Sequence, residues 1–353
     1  MNGRLTGRIP TRKDNFMLTI EQKKEIARIY KKVRKLSKPS SCLICGKSQT
    51  SFCNSHLIPQ MVLKSIASNG KLLQPNLLMD IEDIDIEKGI NNSGTFHFIC
   101  NECDSTLFQT YENPSNLLDK PNDKMLAEIA LKNMVMMLSK RNEEVCLFDY
   151  MQKHYNLFEN KEELDKDHTL DIRDYTNDLN LFQDILHNNK ENCFNIMYWK
   201  ILPYVTPIAV QTPITIFEDL DNTIINETFN PDSQIRMQCV HLCVFPLESQ
   251  TVILLFYHKR DKNYRSLWRQ FNCLSEENKL KYINFLVFKY TENYFFSPLI
   301  RELLETDKKL QLLSQENNGA PHLGHLSPID VLTPYKSVTY DEIPNFLSHE
   351  HAL

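Results

Sequence analysis

Hydrophobic positions recur at helical spacing over residues 19–37, where Ile26, Ile29, Tyr30, Val33 and Leu36 share one face and Lys and Arg fill the other. Thr19 and Gln22 form a capping box ahead of it, and Ser37-Lys38-Pro39-Ser40-Ser41 ends it, because the residue before a proline avoids the helical conformation. From Cys42 to about Pro114 the long periodic stretches give way to Cys, Ser and Asn. Asn69-Gly70 and Asn91-Asn92-Ser93-Gly94 mark turns there, and the acidic alternation at 80–87 lacks the order of a calcium loop, so it predicts a solvated loop or edge strand. Beyond Pro121 the stretch Met125–Leu138 is apolar on most sides and predicts a buried helix whose methionines are packing. Further helices are predicted at 143–157 and 174–187.

Apolar runs at Phe194–Leu202, Ile208–Phe217, Met237–Leu247 and Thr251–His258 predict strands, the last two joined as a hairpin through Glu248-Ser249-Gln250. Helices return at 263–272 and 275–293. In the second, Ser275 caps, Glu276 and Glu277 favour the positive helix end, and Leu280, Ile283, Val287 and Tyr290 form the inward stripe. After Thr306 the pattern weakens into a loop-rich tail, and no internal repeat is visible. The fold class that follows is α+β, with a basic helix in 1–40, a cysteine-bearing module in 41–115 and a larger region of helices and mostly antiparallel sheet in 116–353.

Composition narrows the function classes. The 353 residues are 42% hydrophobic and 24% charged, which excludes disorder throughout. No apolar run approaches the roughly 18 residues that span a bilayer, so a cytoplasmic protein without a membrane partner is expected. In that setting ten cysteines stay reduced and close pairs are metal ligands rather than disulfides. Only eight glycines occur, and neither GxGxxG nor GxxxxGK[ST] is present, which argues against nucleotide-cofactor chemistry. Residues 1–48 carry a net +10, leaving −15 for the rest of the chain. A basic head on an acidic body suits a polyanion such as DNA or RNA, with Lys24, Arg28, Lys31, Lys32, Arg34 and Lys35 as phosphate contacts. The alternative is a solvated basic helix.

The candidate chemistry lies in Cys42-Leu-Ile-Cys45 and Cys100-Asn-Glu-Cys103. Random placement gives roughly 0.3 such pairs in a chain of this composition, so two in one segment point to a purpose. Two residues between cysteines let both sulfurs face one ion, and two knuckles supply the four thiolates of a closed structural zinc site, with buried free thiols as the alternative. The long gap between the pairs implies a structured insertion. Cys53 within it is expected in the core. Cys239, His241 and Cys243 alternate along a predicted strand and are read as core rather than ligands. His322, His325, His349 and His351 lack companion ligands and are read as surface residues.

Between the knuckles stands Ser55-His56-Leu57-Ile58-Pro59, and Asp104 follows Cys103 directly. The order CxxC, SHLIP, apolar strand, CxxC and acidic residue resembles the zinc-stapled HNH, or His-Me finger, endonuclease superfamily over residues 42–114. It is closest to a variant in which SHLIP replaces the usual acidic-His pair and CNECD replaces CxxC followed by His or Asn. The resemblance implies a treble-clef-like ββα module, held by the zinc, that hydrolyses nucleic acid phosphodiesters with a second, exchangeable divalent ion such as Mg²⁺ or Mn²⁺. By the same resemblance His56 matches the general base at the end of the first strand, His56 and Asp104 flank the ion, and Asn91 or Asn92 matches the loop-bracing asparagine. Glu112, eight residues on along the same predicted helix and about 80° round from Asp104, is a reserve ligand. Ser55 departs from the family, since a hydroxyl is a much poorer ligand than a carboxylate.

Proteins of this kind are common in mobile elements and phage defence, a role the resemblance suggests. Two rival readings stay open: a zinc-containing nucleic-acid-binding or regulatory protein that does not cut, and an interaction scaffold whose zinc only folds the knuckles. The larger region would recognise substrate, bind a protein partner or form a homo-oligomer.

Overall fold

The apolar runs of residues 194–258 form four consecutive strands, out to one edge, of a seven-stranded antiparallel sheet in the computed structural model, which describes residues 20–78, 86–156, 161–228, 232, 234–317 and 338–353. In chain order the elements begin with α1 (Ile20–Leu36), β1 (Ser55–His56), α2 (Gln60–Ile66), β2 (Lys71–Leu73), β3 (Glu87–Gly89), β4 (Thr95–Phe96), α3 (Asn101–Leu107) and α4 (Pro114–Leu117). They continue with α5 (Asp123–Tyr155), α6 (Lys161–His187), β5 (Phe194–Leu202), β6 (Ile208–Ile214), β7 (Val240–Pro246), β8 (Thr251–His258), α7 (Tyr264–Cys273), α8 (Glu276–Tyr290), β9 (Tyr294–Phe296), α9 (Arg301–Thr306) and α10 (Lys308–Asn317). The chain is α+β, as its patterning predicts. Among the described residues no helix is long and apolar enough to cross a membrane.

The sheet order is β3-β2-β9-β6-β7-β8-β5, and β1 and β4 form a separate antiparallel pair. Alternation along the central strands sends residues to opposite layers. On β8, Val252, Leu254 and Phe256 pack in the layer of α5, α6 and the cysteine region, while Ile253, Leu255 and Tyr257 pack in the layer of α7, α8 and α10. Both faces are therefore covered, which is why β6, β7 and β8 are apolar almost throughout rather than alternating. The insertion between the cysteine pairs supplies β2 and β3, and Leu73 pairs with Phe296 of β9. The sheet thus runs across the boundary expected at residue 115.

Several element bounds differ from expectation. The helices expected at 125–138 and 143–157 are one helix, α5, because Ser139-Lys140-Arg141-Asn142 contains no breaker; the turn comes at Asn156, in the left-handed conformation. The helix expected from 174 starts at Lys161, where Lys161–Asp165 and Arg141–Asp171 ion pairs at 2.7 and 2.5 Å support an opening half with little apolar periodicity. The tail past Thr306 continues as α10. The acidic stretch up to Asp85, His322, His325, Thr19 and the cations before residue 20 lie outside the described residues.

Candidate functional site

Each cysteine pair sits on a tight local structure. In the first knuckle Cys42 accepts Gly46 N–H at its carbonyl, 2.9 Å, and Gly46 takes φ +68°, a conformation that costs glycine little. Leu43 N–H donates to Phe98 O at 3.0 Å and Cys53 N–H to Ile99 O at 2.9 Å, drawing this segment onto the chain that enters the second knuckle. There Cys100 caps α3 and Cys103 lies in its first turn.

The four sulfurs lie within 4.8 Å of one another, and Cys45 Sγ is 3.8 Å from Cys100 Sγ. Burial raises the Cys42 thiol, but backbone N–H groups of Cys45, Cys100 and Ile44 outweigh it and bring the group down to about 7. Burial and the neighbouring sulfurs push Cys103 up. Four soft donors at this separation fit one tetrahedral ion, and thiolates clustered this closely repel one another unless a cation neutralises them. The expected cysteine cluster is thus present, compatible with structural zinc. Among the described residues it is the one group of three or more His, Cys, Asp or Glu side chains close enough to hold a metal.

Beside it, β1 and β4 pair through Ser55–Phe96 and His56–Thr95, and α3 follows. Ser55 and His56 point to opposite sides of β1, as adjacent strand residues do. Ser55 is buried, and its Oγ donates to Asp104 Oδ1 at 2.5 Å. Cys53 Sγ donates to Asp104 Oδ2 at 3.2 Å. Cys53 is thus not a bystander in the core; burial first, and then the Asp104 charge, push its thiol up to about 12. His56 is half-buried, and its Nε2 lies 3.0 Å from Ile90 O. A carbonyl only accepts, so Nε2 carries the proton and Nδ1 is left as an acceptor. The side-chain bonds of Asp104 run to Ser55 and Cys53; the resemblance places His56 and Asp104 on either side of an ion, and no direct hydrogen bond joins the two.

The third partner of Asp104 comes from α5. Lys132 is 2% exposed; its Nζ lies 3.5 Å from Asp104 Oδ1, forms a short ion pair with Glu112 Oε1, and sits 4.4 Å from the centre of the Phe108 ring. Burial alone would raise the Asp104 carboxyl. Lys132, then Ser55 and Cys53, reverse this and hold it below its ordinary value. Glu112 is not on the same helix as Asp104, because α3 ends at Leu107. The turn that carries it is fixed instead by buried Glu128, which accepts from Thr110 N, Thr110 Oγ1 and Tyr111 N at 2.9, 2.6 and 3.2 Å. Glu128 and Lys132 are thus four residues apart on α5, one holding the turn and the other bridging its carboxylate to Asp104.

Lys132 and Glu128 are absent from the sequence-derived site. Their signal was two charges at helical spacing in the stretch 125–138, otherwise apolar except for Asn133, where an ionised side chain survives only with a partner. Asn91 braces the loop through its carbonyl, which accepts from Asn54 Nδ2, and its Oδ1, which accepts from Gln60 Nε2, both at 2.8 Å. Asn92 is exposed and takes no part in this bracing.

On α1, Ile29 and Val33 are buried, Tyr30 and Leu36 are exposed, and Lys32 Nζ lies 4.9 Å over the Tyr150 ring of α5. Lys24, Arg28, Lys31, Lys32, Arg34 and Lys35 are all exposed, and Arg28 pairs with Glu25. Cys239, His241 and Cys243 are buried core, with His241 Nδ1 accepting from Asn133 Nδ2 at 3.0 Å. His349 and His351 pack beside Tyr204 and Phe346. No family model, curated protein or solved structure matches the chain.

Proposed function

We propose that this chain is a zinc-stapled endonuclease that hydrolyses nucleic acid phosphodiesters at the junction of β1, α3 and α5. The observation that carries the reading is the convergence of Asp104, Glu112 and buried Lys132 beside Ser55, on a hairpin and helix whose ends are tied by the four cysteines. The order CxxC, paired strands, then a second CxxC that opens the helix supports an HNH-like ββα module.

Asp104 and Glu112 are hard oxygen donors, partly exposed, that already gather around one positive charge. That donor chemistry fits Mg²⁺ or Mn²⁺, with water and substrate oxygens completing the shell. Such an ion would neutralise the phosphate and stabilise the leaving alkoxide. Lys132 contributes a fixed ammonium that orients both carboxylates and donates to a phosphate oxygen. His56, with Nδ1 left to accept a proton, is the general base that the resemblance implies; because it faces away from Ser55, the phosphate has to span the edge of β1 to reach both His56 and Asp104. The exposed cations of α1 add sequence-independent phosphate contacts. One observation favours a second reading, binding without cleavage: the Lys132 ammonium fills the space between the two carboxylates.

The test is cleavage of plasmid DNA and of RNA in the presence of Mg²⁺, Mn²⁺ or Ni²⁺, comparing the wild type with His56→Ala, Asp104→Asn and Lys132→Ala. Cleavage that falls about a hundredfold or more in each variant supports the reading. Equal rates for wild type and His56→Ala remove the proposed base. Retardation of nucleic acid with no cleavage under any metal selects the binding-only protein.

A further inference from the structure

A second site lies in the other layer of the sandwich, where a groove of about 610 Å³ is lined by Asn195, Tyr257, Lys259, Arg265, Trp268 and Arg269. On α7, Arg265, Trp268 and Arg269 stand at i, i+3 and i+4 and so share one face, while Tyr264, Leu267 and Phe271 bury the opposite one. The face with the two arginines is thus not spent on packing. Neither arginine, nor Lys259, makes an ion pair among the described residues; Lys259 Nζ bonds the neutral Asn192 side chain. Three cations around one concavity raise a positive potential there.

Two aromatic groups give the groove a second chemistry. Trp268 is half-buried, and the Tyr257 ring holds it edge-on at 6.2 Å. Tyr257 itself is buried, with its hydroxyl turned toward Asn195.

We propose that this groove binds a nucleotide unit, with the base stacked on Trp268 and the phosphates held by Arg265, Arg269 and Lys259. An apolar ligand leaves the cations unsatisfied, and a bare phosphate leaves the indole unused; a nucleotide uses both. The volume suits one such unit. No glycine-rich loop is needed, because side chains supply the donors. This inference does not rest on cleavage at Asp104, which lies in the opposite layer.

The experiment uses the full chain carrying Trp199→Phe, which leaves Trp268 as the single tryptophan reporter. Emission is titrated with ATP, with a 5′-phosphorylated oligothymidylate and with pyrophosphate. Saturable quenching by ATP, by the oligonucleotide or by both is expected; ATP alone identifies a free nucleotide, and the oligonucleotide alone a strand end. Adding Arg265→Glu with Arg269→Glu weakens binding by about tenfold or more, and the milder Arg265→Gln with Arg269→Gln weakens it in the same direction if the charge reversal does not fold. No saturable quenching, unchanged binding by either arginine pair, or pyrophosphate binding as tightly as ATP would overturn the proposal.

Discussion

Lys132 Nζ lies 3.5 Å from Asp104 Oδ1 with its side chain 2% exposed, so the ammonium has exchanged water for two carboxylates, the ring face of Phe108 and little else. Removing one partner of such a group costs more than the pair contributes, because the charges left behind remain desolvated. Lys132→Met is expected to lower unfolding stability by about 2–3 kcal/mol, below the range for fully buried pairs because Asp104 and Glu112 keep some solvent. Adding Asp104→Asn and Glu112→Gln recovers most of it. Urea unfolding of the single and triple variants checks this, and a triple variant no more stable than the single one sinks the account.

The four-cysteine cluster predicts one tightly held zinc per chain. Elemental analysis of the purified protein reads this directly. Cys42→Ser together with Cys103→Ser is expected to release the ion, and a strong chelator to lower the thermal midpoint of the wild type but not of that variant. A wild-type protein that is metal-free and unmoved by chelator contradicts the assignment.

Gly94 sits where β1 meets β4, at φ +61°, and its carbonyl accepts from Leu57 N–H at 3.0 Å. A Cβ there would lie 2.9 Å from Phe295 Cε2, a ring that is itself 94% covered as part of β9. Gly94→Ala combines a strained backbone with that clash and is expected to cost about 1–3 kcal/mol. Because the same turn carries the hairpin of the candidate site, activity falls with it. A stability change within about 0.5 kcal/mol of zero would show that the turn has room to relax.

Stability falls on mild acidification through two histidines. Burial holds His241 down to about 3 and His258 down to about 4, so over the window from about pH 6.5 to about pH 4 the unfolded chain binds protons that the folded one refuses. Asp261 opposes them: burial raises it to about 6 against Arg236 and Arg260, and a raised carboxyl favours the fold at lower pH. His97 and His168 are also held down by burial, and Asp171 and Asp178 are raised by it, so the contribution of one histidine is read from a variant against the wild-type slope. His241→Asn, which keeps an acceptor toward Asn133, is expected to remove about 1.4 kcal/mol per pH unit from that slope. Denaturation midpoints measured through the window decide it, and an unchanged slope would mean that the His241 ring protonates in place.

The sequence by itself determined the elements whose pattern is local. The strands of 194–258, the helices near 264 and 276, and the pairing of two cysteine knuckles were legible because side-chain period and two-residue spacing are set by neighbouring residues along the backbone. The single long α5 was hidden only by an ambiguous polar stretch, and the insertion between the knuckles gave no sign that it would add two strands to a distant sheet edge.

What only the tertiary structure decided is who meets Asp104. His56 bonds the Ile90 carbonyl, while the Asp104 carboxylate meets Ser55, Cys53 and Lys132. Adjacent strand residues face opposite ways, and a charged side chain sealed into an apolar helix finds its partner through packing, over distances that no local spacing encodes. The same holds for Trp268 and its arginines, whose shared face is written in α7 but whose groove exists only where β5 and β8 close its other wall.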